Sequence, residues 1–344
     1  MPDDVVFSPE QALALAEAAC LGVGAGPRFA RVLADATLSA ELHGKTVVGF
    51  AHLPDYLEGL RAGRIDGNTE PTLRSPAPAL IACDAGGGIA QVGFEAAFDD
   101  LRARARALGV ALFTLSNAFT SGELGWYVRR LAESELIGLA ASNGPALMKP
   151  QDADGPVYCT NPLAFAAPGP SGPAVIVDQS SGATTYVALR KAAEAGAPIP
   201  LDWAVDAEGR ATTDAAKALG GALLTFGGSR GANIALMVEI LAAGLSGANW
   251  SLDAPCFETG ASSPGVGLTV VAIAPGLLAS DFADRLSIQL ERLRAKRVHI
   301  PGAAGRQRAG RMRGGGVKLP ADLVALLRRY ADPASRGDGP ATTT

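Results

Sequence analysis

A chain of 344 residues, 48% hydrophobic and 19% charged, has the make-up of a folded globular protein, and at about 100–200 residues per domain it can build two or three lobes. Its net charge of −4 and pI near 5.5 offer no electrostatic basis for nucleic-acid binding. The arginine clusters Arg102/Arg104/Arg106 and Arg306/Arg308/Arg311/Arg313 are short enough to be solvated faces. No run of about 18 apolar residues free of charges and turn formers occurs, so no membrane span is expected. The opening Met-Pro-Asp-Asp lacks the basic segment and apolar stretch of a secretion signal. Cys20, Cys83, Cys159 and Cys256 are far apart without C-x-x-C spacing, which speaks against zinc or a disulfide framework and fits a reducing cytoplasm.

Ser8, ahead of an Ala/Leu periodicity with Glu10 in its first turn, predicts a capped helix running to Leu21. Further helices are expected over 27–42 and 55–62, the latter stopped by Gly63, and the Pro/Ser/Thr-rich stretch 67–78 reads as an extended loop. Residues 79–84 form a short strand broken by Gly86-Gly87-Gly88; 95–108 read as a helix ending at Gly109. A strand at 110–115, a loop and a helix at 126–134 follow, then a strand at 136–142 and a turn-rich segment to Pro162. Residues 174–178 have the profile of a buried strand presenting Asp178 at its end. A helix is expected at 184–195, a weak one within 211–219, and a buried one at 234–245, apolar except for Glu239. Residues 266–274 are the clearest strand, 280–293 an amphipathic helix and 321–330 a last one. This alternation favours α/β layers, and the Pro/Gly/Ser/Thr-rich end, 332–344, reads as disordered.

The chemistry-bearing segments fall between these elements. Ser116-Asn117-Ala118-Phe119-Thr120-Ser121-Gly122-Glu123-Leu124-Gly125 links a strand to a helix. Tyr158-Cys159-Thr160-Asn161-Pro162 is, on residue type alone, a turn. In Val177-Asp178-Gln179-Ser180-Ser181-Gly182 a carboxylate at a strand end can orient a histidine or hold a cationic nitrogen, although a strand-terminating turn explains it equally. Gly227-Gly228-Ser229-Arg230-Gly231 runs into a helix expected from near Ala232. Its glycines admit a ligand and a helix start favours anions, with a plain helix-initiating turn as the alternative. His43-Gly44-Lys45, Ser142-Asn143-Gly144 and His299-Ile300-Pro301-Gly302 complete the set. His43, His52 and His299 are the chain's histidines, and for His43 and His52 a satisfied structural role is the alternative.

Taken in chain order, these segments resemble the malate/L-lactate dehydrogenase family that lacks a Rossmann fold, the one that includes sulfolactate and ureidoglycolate dehydrogenases. The resemblance implies a proton-moving histidine in the first loop; aligned on Gly122 and Gly125, that position is Thr120. It implies that Ser142, Gly144, Asp178, Gln179, Ser180, Gly228, Arg230, His299, Pro301 and Arg306 contact the cofactor, Arg230 replacing a lysine. It implies substrate contacts at Ser121, Thr160 and Asn161, with Lys45 or His52 standing in for an arginine that meets the substrate carboxylate. Cys159 stands where glycine is usual, Gly144 where serine is, and Leu42 where serine precedes His43-Gly44. The pattern Pro200-x-x-Trp203-x-x-Asp206-x-x-Gly209 matches too and reads as structural.

The implied fold is α/β, a sulfolactate-dehydrogenase-like, non-Rossmann NAD(P)-binding fold with a mixed sheet. Its expected parts are an N-terminal helical part of the substrate and dimerisation lobe (1–78), a central cofactor region whose chain crosses between lobes (79–265), a return to the first lobe (266–331) and a tail (332–344). A homodimer using NADPH (or NADH), with no metal, is implied. Reducing a 2-oxo acid calls for a positioned acid, worth about 10²–10⁴-fold, and a threonine hydroxyl is a poor one. A cyclic imine is instead protonated before hydride arrives, so no proton need move in that step. The loop Thr120-Ser121-Gly122-Glu123-Leu124-Gly125 looks like the branch reducing Δ1-pyrroline-2-carboxylate and Δ1-piperideine-2-carboxylate. The expectation is therefore reduction of Δ1-pyrroline-2-carboxylate to L-proline, and of the six-membered imine to L-pipecolate, with Thr120, His43 and Asp178 as the catalytic set. The alternatives are a 2-hydroxy-acid dehydrogenase in which His43 is the acid, and a cofactor-binding protein without catalysis.

Overall fold

The computed structural model describes residues 4–257, 259–260 and 262–332. After a short strand β1 (Val5–Phe7), Ser8 opens α1 (Pro9–Gly22) through a reciprocal cap: its Oγ accepts the Gln11 amide at 3.2 Å, and the Gln11 side chain accepts the Ser8 N–H at 2.9 Å. Helices α2 (Pro27–Leu42) and α3 (Leu53–Arg61) follow, each with proline in the first turn, where its missing N–H is harmless. Then come β2 (Thr72–Ala77), β3 (Leu80–Asp84), α4 (Ala90–Leu108), β4 (Val110–Ala118), α5 (Leu124–Glu133) and β5 (Ile137–Ser142). The middle of the chain holds β6 (Met148–Lys149), β7 (Leu163–Gly169), β8 (Gly172–Gln179), α6 (Tyr186–Glu194), β9 (Ala204–Val205), α7 (Ala215–Leu219) and β10 (Ala222–Leu224). It ends in α8 (Ser229–Glu239), which continues as a π-helical turn over Ile240–Gly244. The last part is β11 (Val266–Ile273), α9 (Phe282–Ala295), α10 (Ala303–Gly315), β12 (Val317–Leu319) and α11 (Ala321–Ala331).

Among the described residues the main sheet has seven strands in the order β2-β3-β4-β11-β5-β7-β8, with β3 and β4 parallel and the other neighbours antiparallel. It is the mixed sheet expected of the α/β fold. Helices α4 and α5 close its core through Phe94, Phe113, Trp126 and Tyr127. A second core joins α1, α2 and α3 to α10, β12 and α11, with β1 pairing antiparallel to β12. A third, smaller core surrounds the sheet β6-β10-β9. No helix among the described residues is long and apolar enough to cross a membrane.

Several elements differ from expectation. Residues 72–77 are a strand, not a loop; β2 is the sheet's edge, where Pro76 sits beside a register shift and removes no needed hydrogen bond. Strand β8 is likewise an edge rather than a buried strand, and its free side is covered: Arg306 donates to the Ala174 carbonyl at 3.2 Å and Pro301 accepts the Ile176 amide at 3.2 Å. Strand β11, assigned to the C-terminal return, stands mid-sheet, so 266–331 divides between the sheet and the helical core. The apolar helix at 234–245 is not buried all round: Leu236, Met237, Ile240 and Leu245 are exposed. The tail expected at 332–344 lies, beyond Asp332, outside the described residues.

Candidate active site

Four elements converge on a cleft of about 320 Å³ between the helical core and the edge of the sheet, with Glu123 and Arg129 lining it from the start of α5. The C-terminal end of α2 contributes His43 and Lys45, the end of β8 contributes Asp178 and Gln179, and the turn before α10 contributes His299 and Pro301. These are six of the residues singled out in the sequence. Gly305 lets α10 lie against His43, since a Cβ there would sit 3.1 Å from the His43 carbonyl oxygen.

His43 caps α2, and its Nδ1 lies 2.8 Å from the Ser39 carbonyl, so in the neutral ring Nδ1 carries the hydrogen and Nε2 keeps its lone pair. Burial is the main reason its pKa lies below the usual histidine value; the cationic Arg129 and Arg313 push the same way, against the Ser39 carbonyl and Glu123. The Lys45 ammonium donates to the Asp178 carbonyl oxygen at 3.4 Å, at the same mouth.

Asp178 Oδ2 accepts the Gly125 amide at 3.1 Å. Burial raises its pKa and neighbouring Glu123 adds to the rise, while Lys45, the Gly125 N–H and Arg129 oppose it. Gly125 matters sterically, because a Cβ there would stand 2.8 Å from Glu123 Oε1 and 3.1 Å from Asp178 Oδ2. Glu123 is in turn held by Arg129 through both oxygens, at 2.7 and 3.2 Å, with side chains only 4% and 5% exposed. The cleft thus pairs a histidine biased to neutrality with a carboxyl biased to protonation, beside a lysine.

Thr120 does not line this cleft. Its hydroxyl is hydrogen-bonded to Tyr56, which also bonds Gln91, and lies 3.4 Å from the Gly122 amide. Ser121 is buried, its carbonyl accepting the Tyr127 hydroxyl at 2.7 Å. His52 pairs with Asp55 at 2.7 Å and stacks edge-on against Tyr56, away from the cleft wall. Asn161 is wholly buried and donates to Ala235 O and Glu239 Oε2, both at 2.8 Å, so its contact is with α8. Thr160 offers its carbonyl to the Ser181 amide and the Ser180 hydroxyl, at 2.8 and 3.3 Å. Ser142 is also buried, bonded to Gly267 O at 2.8 Å. Gly144 packs on Cys159 and Phe257.

Gly228 and exposed Arg230 belong to the first turn of α8, which begins at Ser229, three residues earlier than Ala232. Arg306 is committed to the β8 edge. The sequence reading missed Arg129 and Ser39; no local signal marks them, because they meet across 90 residues of chain. No cluster of three or more His, Cys, Asp or Glu side chains suited to a metal ion occurs among the described residues.

Comparison with known proteins accords with this fold. The family model described as malate/L-lactate dehydrogenase matches residues 7–328. A (2R)-3-sulfolactate dehydrogenase (NADP+) of Chromohalobacter salexigens is 33% identical, over 95% of this chain and 98% of its own. A Δ1-pyrroline-2-carboxylate/Δ1-piperideine-2-carboxylate reductase of Pseudomonas aeruginosa is also 33% identical, over 86% of this chain and 92% of its own. The crystal structure of a Δ1-piperideine-2-carboxylate reductase from Pseudomonas syringae superposes with a TM-score of 0.91 at 30% identity, covering 95% of this chain and 99% of that one. With the mixed sheet and near full-length similarity in agreement, the chain belongs to the malate/L-lactate dehydrogenase family of oxidoreductases.

Proposed function

We propose that the protein reduces cyclic imine 2-carboxylates with NADPH (or NADH), turning Δ1-pyrroline-2-carboxylate into L-proline and the six-membered imine into L-pipecolate. One observation carries this reading: His43, Asp178 and Lys45 line one cleft, where burial lowers the pKa of the histidine and raises that of the carboxyl. A ketone would need its proton from His43, which holds few near neutral pH. An imine nitrogen takes its proton from a carboxylic acid, which Asp178 retains to higher pH than an ordinary carboxyl. The printed names of the two reductase relatives support the same choice.

The residues fit a dinucleotide. Gly227 and Gly228 have φ of 56° and 62°, a Cβ at Gly227 would meet nothing within 4 Å, and exposed Arg230 stands in the first turn of an 11-residue helix. A pyrophosphate can therefore approach the helix backbone with a cation beside it. On this reading Gly228, Arg230, Ser180, Gln179, His299 and Pro301 hold the cofactor, which when bound supplies a hydride. Lys45 Nζ binds the substrate carboxylate. Asp178 passes its proton to the imine nitrogen, which makes the adjacent ring carbon electrophilic. The lone pair on His43 Nε2 then accepts the resulting N–H and orients the ring.

A second reading, a 2-hydroxy-acid dehydrogenase with His43 as the acid, draws on the sulfolactate dehydrogenase relative. Substitution separates the two. Asp178→Asn is expected to lower kcat for imine reduction by about 10²–10⁴-fold, whereas His43→Asn loses much less. In the wild type the rate falls as pH rises through the Asp178 titration, because the proton donor is lost. Abolition by His43→Asn with Asp178→Asn near wild type would reverse the assignment.

We also infer a homodimer, in which the exposed apolar side of α8 and its π turn meets a second copy.

A further inference from the structure

We propose that Arg129 is a positioning residue that sets the His43 imidazole and the Asp178 carboxyl in one fixed relation, by gripping Glu123 on the Asp178 side and Ser39 on the His43 side. This rests on the reading that both groups meet the substrate. The Arg129 guanidinium is buried and makes three bonds: to Glu123 Oε2 at 2.7 Å, to Glu123 Oε1 at 3.2 Å and to Ser39 Oγ at 3.2 Å. Ser39 lies one helical turn before His43, and its carbonyl holds His43 Nδ1. A single residue of α2 therefore ties the guanidinium with its hydroxyl and the imidazole with its carbonyl.

On the other side, Glu123 starts α5 and shares Gly125 with Asp178: the Gly125 amide bonds Asp178, and the empty Cβ position of Gly125 lies between the two carboxylates.

The charges facing the two groups come from every neighbouring element. His43 feels Arg129 and Glu123 from α5 and Arg313 from α10. Asp178 feels Lys45 beyond α2, and Glu123 and Arg129 from α5. His299 lines the same cleft from the turn before α10. Arg129 and Glu123 are the two members common to both lists.

The test assays Δ1-pyrroline-2-carboxylate reduction by NADPH oxidation across pH, with thermal melting followed in parallel. Arg129→Lys keeps the charge but cannot hold two Glu123 oxygens and Ser39 at once. It is expected to lower kcat by about 10- to 100-fold with KM little changed. Ser39→Ala cuts only the tether on the His43 side and gives a smaller loss. The double variant loses no more than Arg129→Lys alone, because the contacts act as one unit. Glu123→Gln keeps the shape but removes the negative charge beside Asp178, so the alkaline limb of kcat moves to lower pH. Wild-type kcat and pH profile in both Arg129→Lys and Glu123→Gln would overturn the proposal. So would losses that merely track the folded fraction in the melts while the pH limbs stay put. A wild type that turns over no cyclic imine would instead overturn the functional reading, and the same variants would then decide the positioning role on the 2-oxo acid it reduces.

Discussion

Gly144 and Cys159 face one another in the turn beside β5, two positions at which this sequence differs from the serine and glycine of the family resemblance. A Cβ on Gly144 would come within 3.0 Å of Cys159 Sγ and 3.1 Å of the Phe257 ring. Gly144→Ser alone should therefore overpack the turn, at a cost of about 1–3 kcal/mol, and Cys159→Gly in the same chain should recover part of it. Chemical denaturation of the two single variants and the double one checks this, and additive losses would contradict it. At this scale His43, Lys45, Asp178 and Gln179, which line one cleft, stand out in the sequence by residue type. Arg129 and Ser39 do not, since what distinguishes them is a contact made only when α2 and α5 meet.

Among the elements, those carrying a clean period are legible: α2 occupies residues 27–42 as its spacing predicts, and β11 nearly so. Strand β7 is not: Leu163-Ala164-Phe165-Ala166-Ala167 is a short run between Pro162 and Pro168, and the sequence assigns it no element. Helix α10 is not either: Gly305, Gly310, Gly314 and Gly315 lower its intrinsic propensity, and packing on α2 and β8 decides its state. The π turn at Ile240–Gly244 packs on β11 so closely that a Cβ on Gly267 would lie 2.2 Å from the Ala242 oxygen. Thr269, fully buried on β11, donates to the Leu241 carbonyl at 2.6 Å and so satisfies an acceptor within the irregular turn. Thr269→Val conserves the shape and removes that donor, with an expected loss of about 1–3 kcal/mol in unfolding free energy. An unchanged denaturation midpoint would show that the carbonyl finds another partner.

For the whole molecule, Leu236, Met237 and Ile240 on α8 and its π turn, with Trp250 and Leu252 beyond, are among the large apolar side chains left exposed in the described residues. An apolar helix side left open in this way is a candidate interaction site. With a chain mass of 34.9 kDa, the wild type is expected to elute and scatter light as a dimer, and Ile240→Glu as a monomer that melts normally. A monomeric wild type, or a dimer indifferent to Ile240→Glu, would contradict the assignment of this face. The architecture was legible from the order of the motifs rather than from the pattern of hydrophobicity. Three separate cores and the mid-sheet position of β11 depend on contacts between distant segments, which no local period encodes.

The proposed preference of the cleft for an imine over a ketone is decided by kcat/KM for NADPH oxidation with Δ1-pyrroline-2-carboxylate, set against pyruvate, oxaloacetate and 3-sulfopyruvate under one condition. The cyclic imine is expected to lead by about a hundredfold or more. A 2-oxo acid turned over faster than the imine would contradict it.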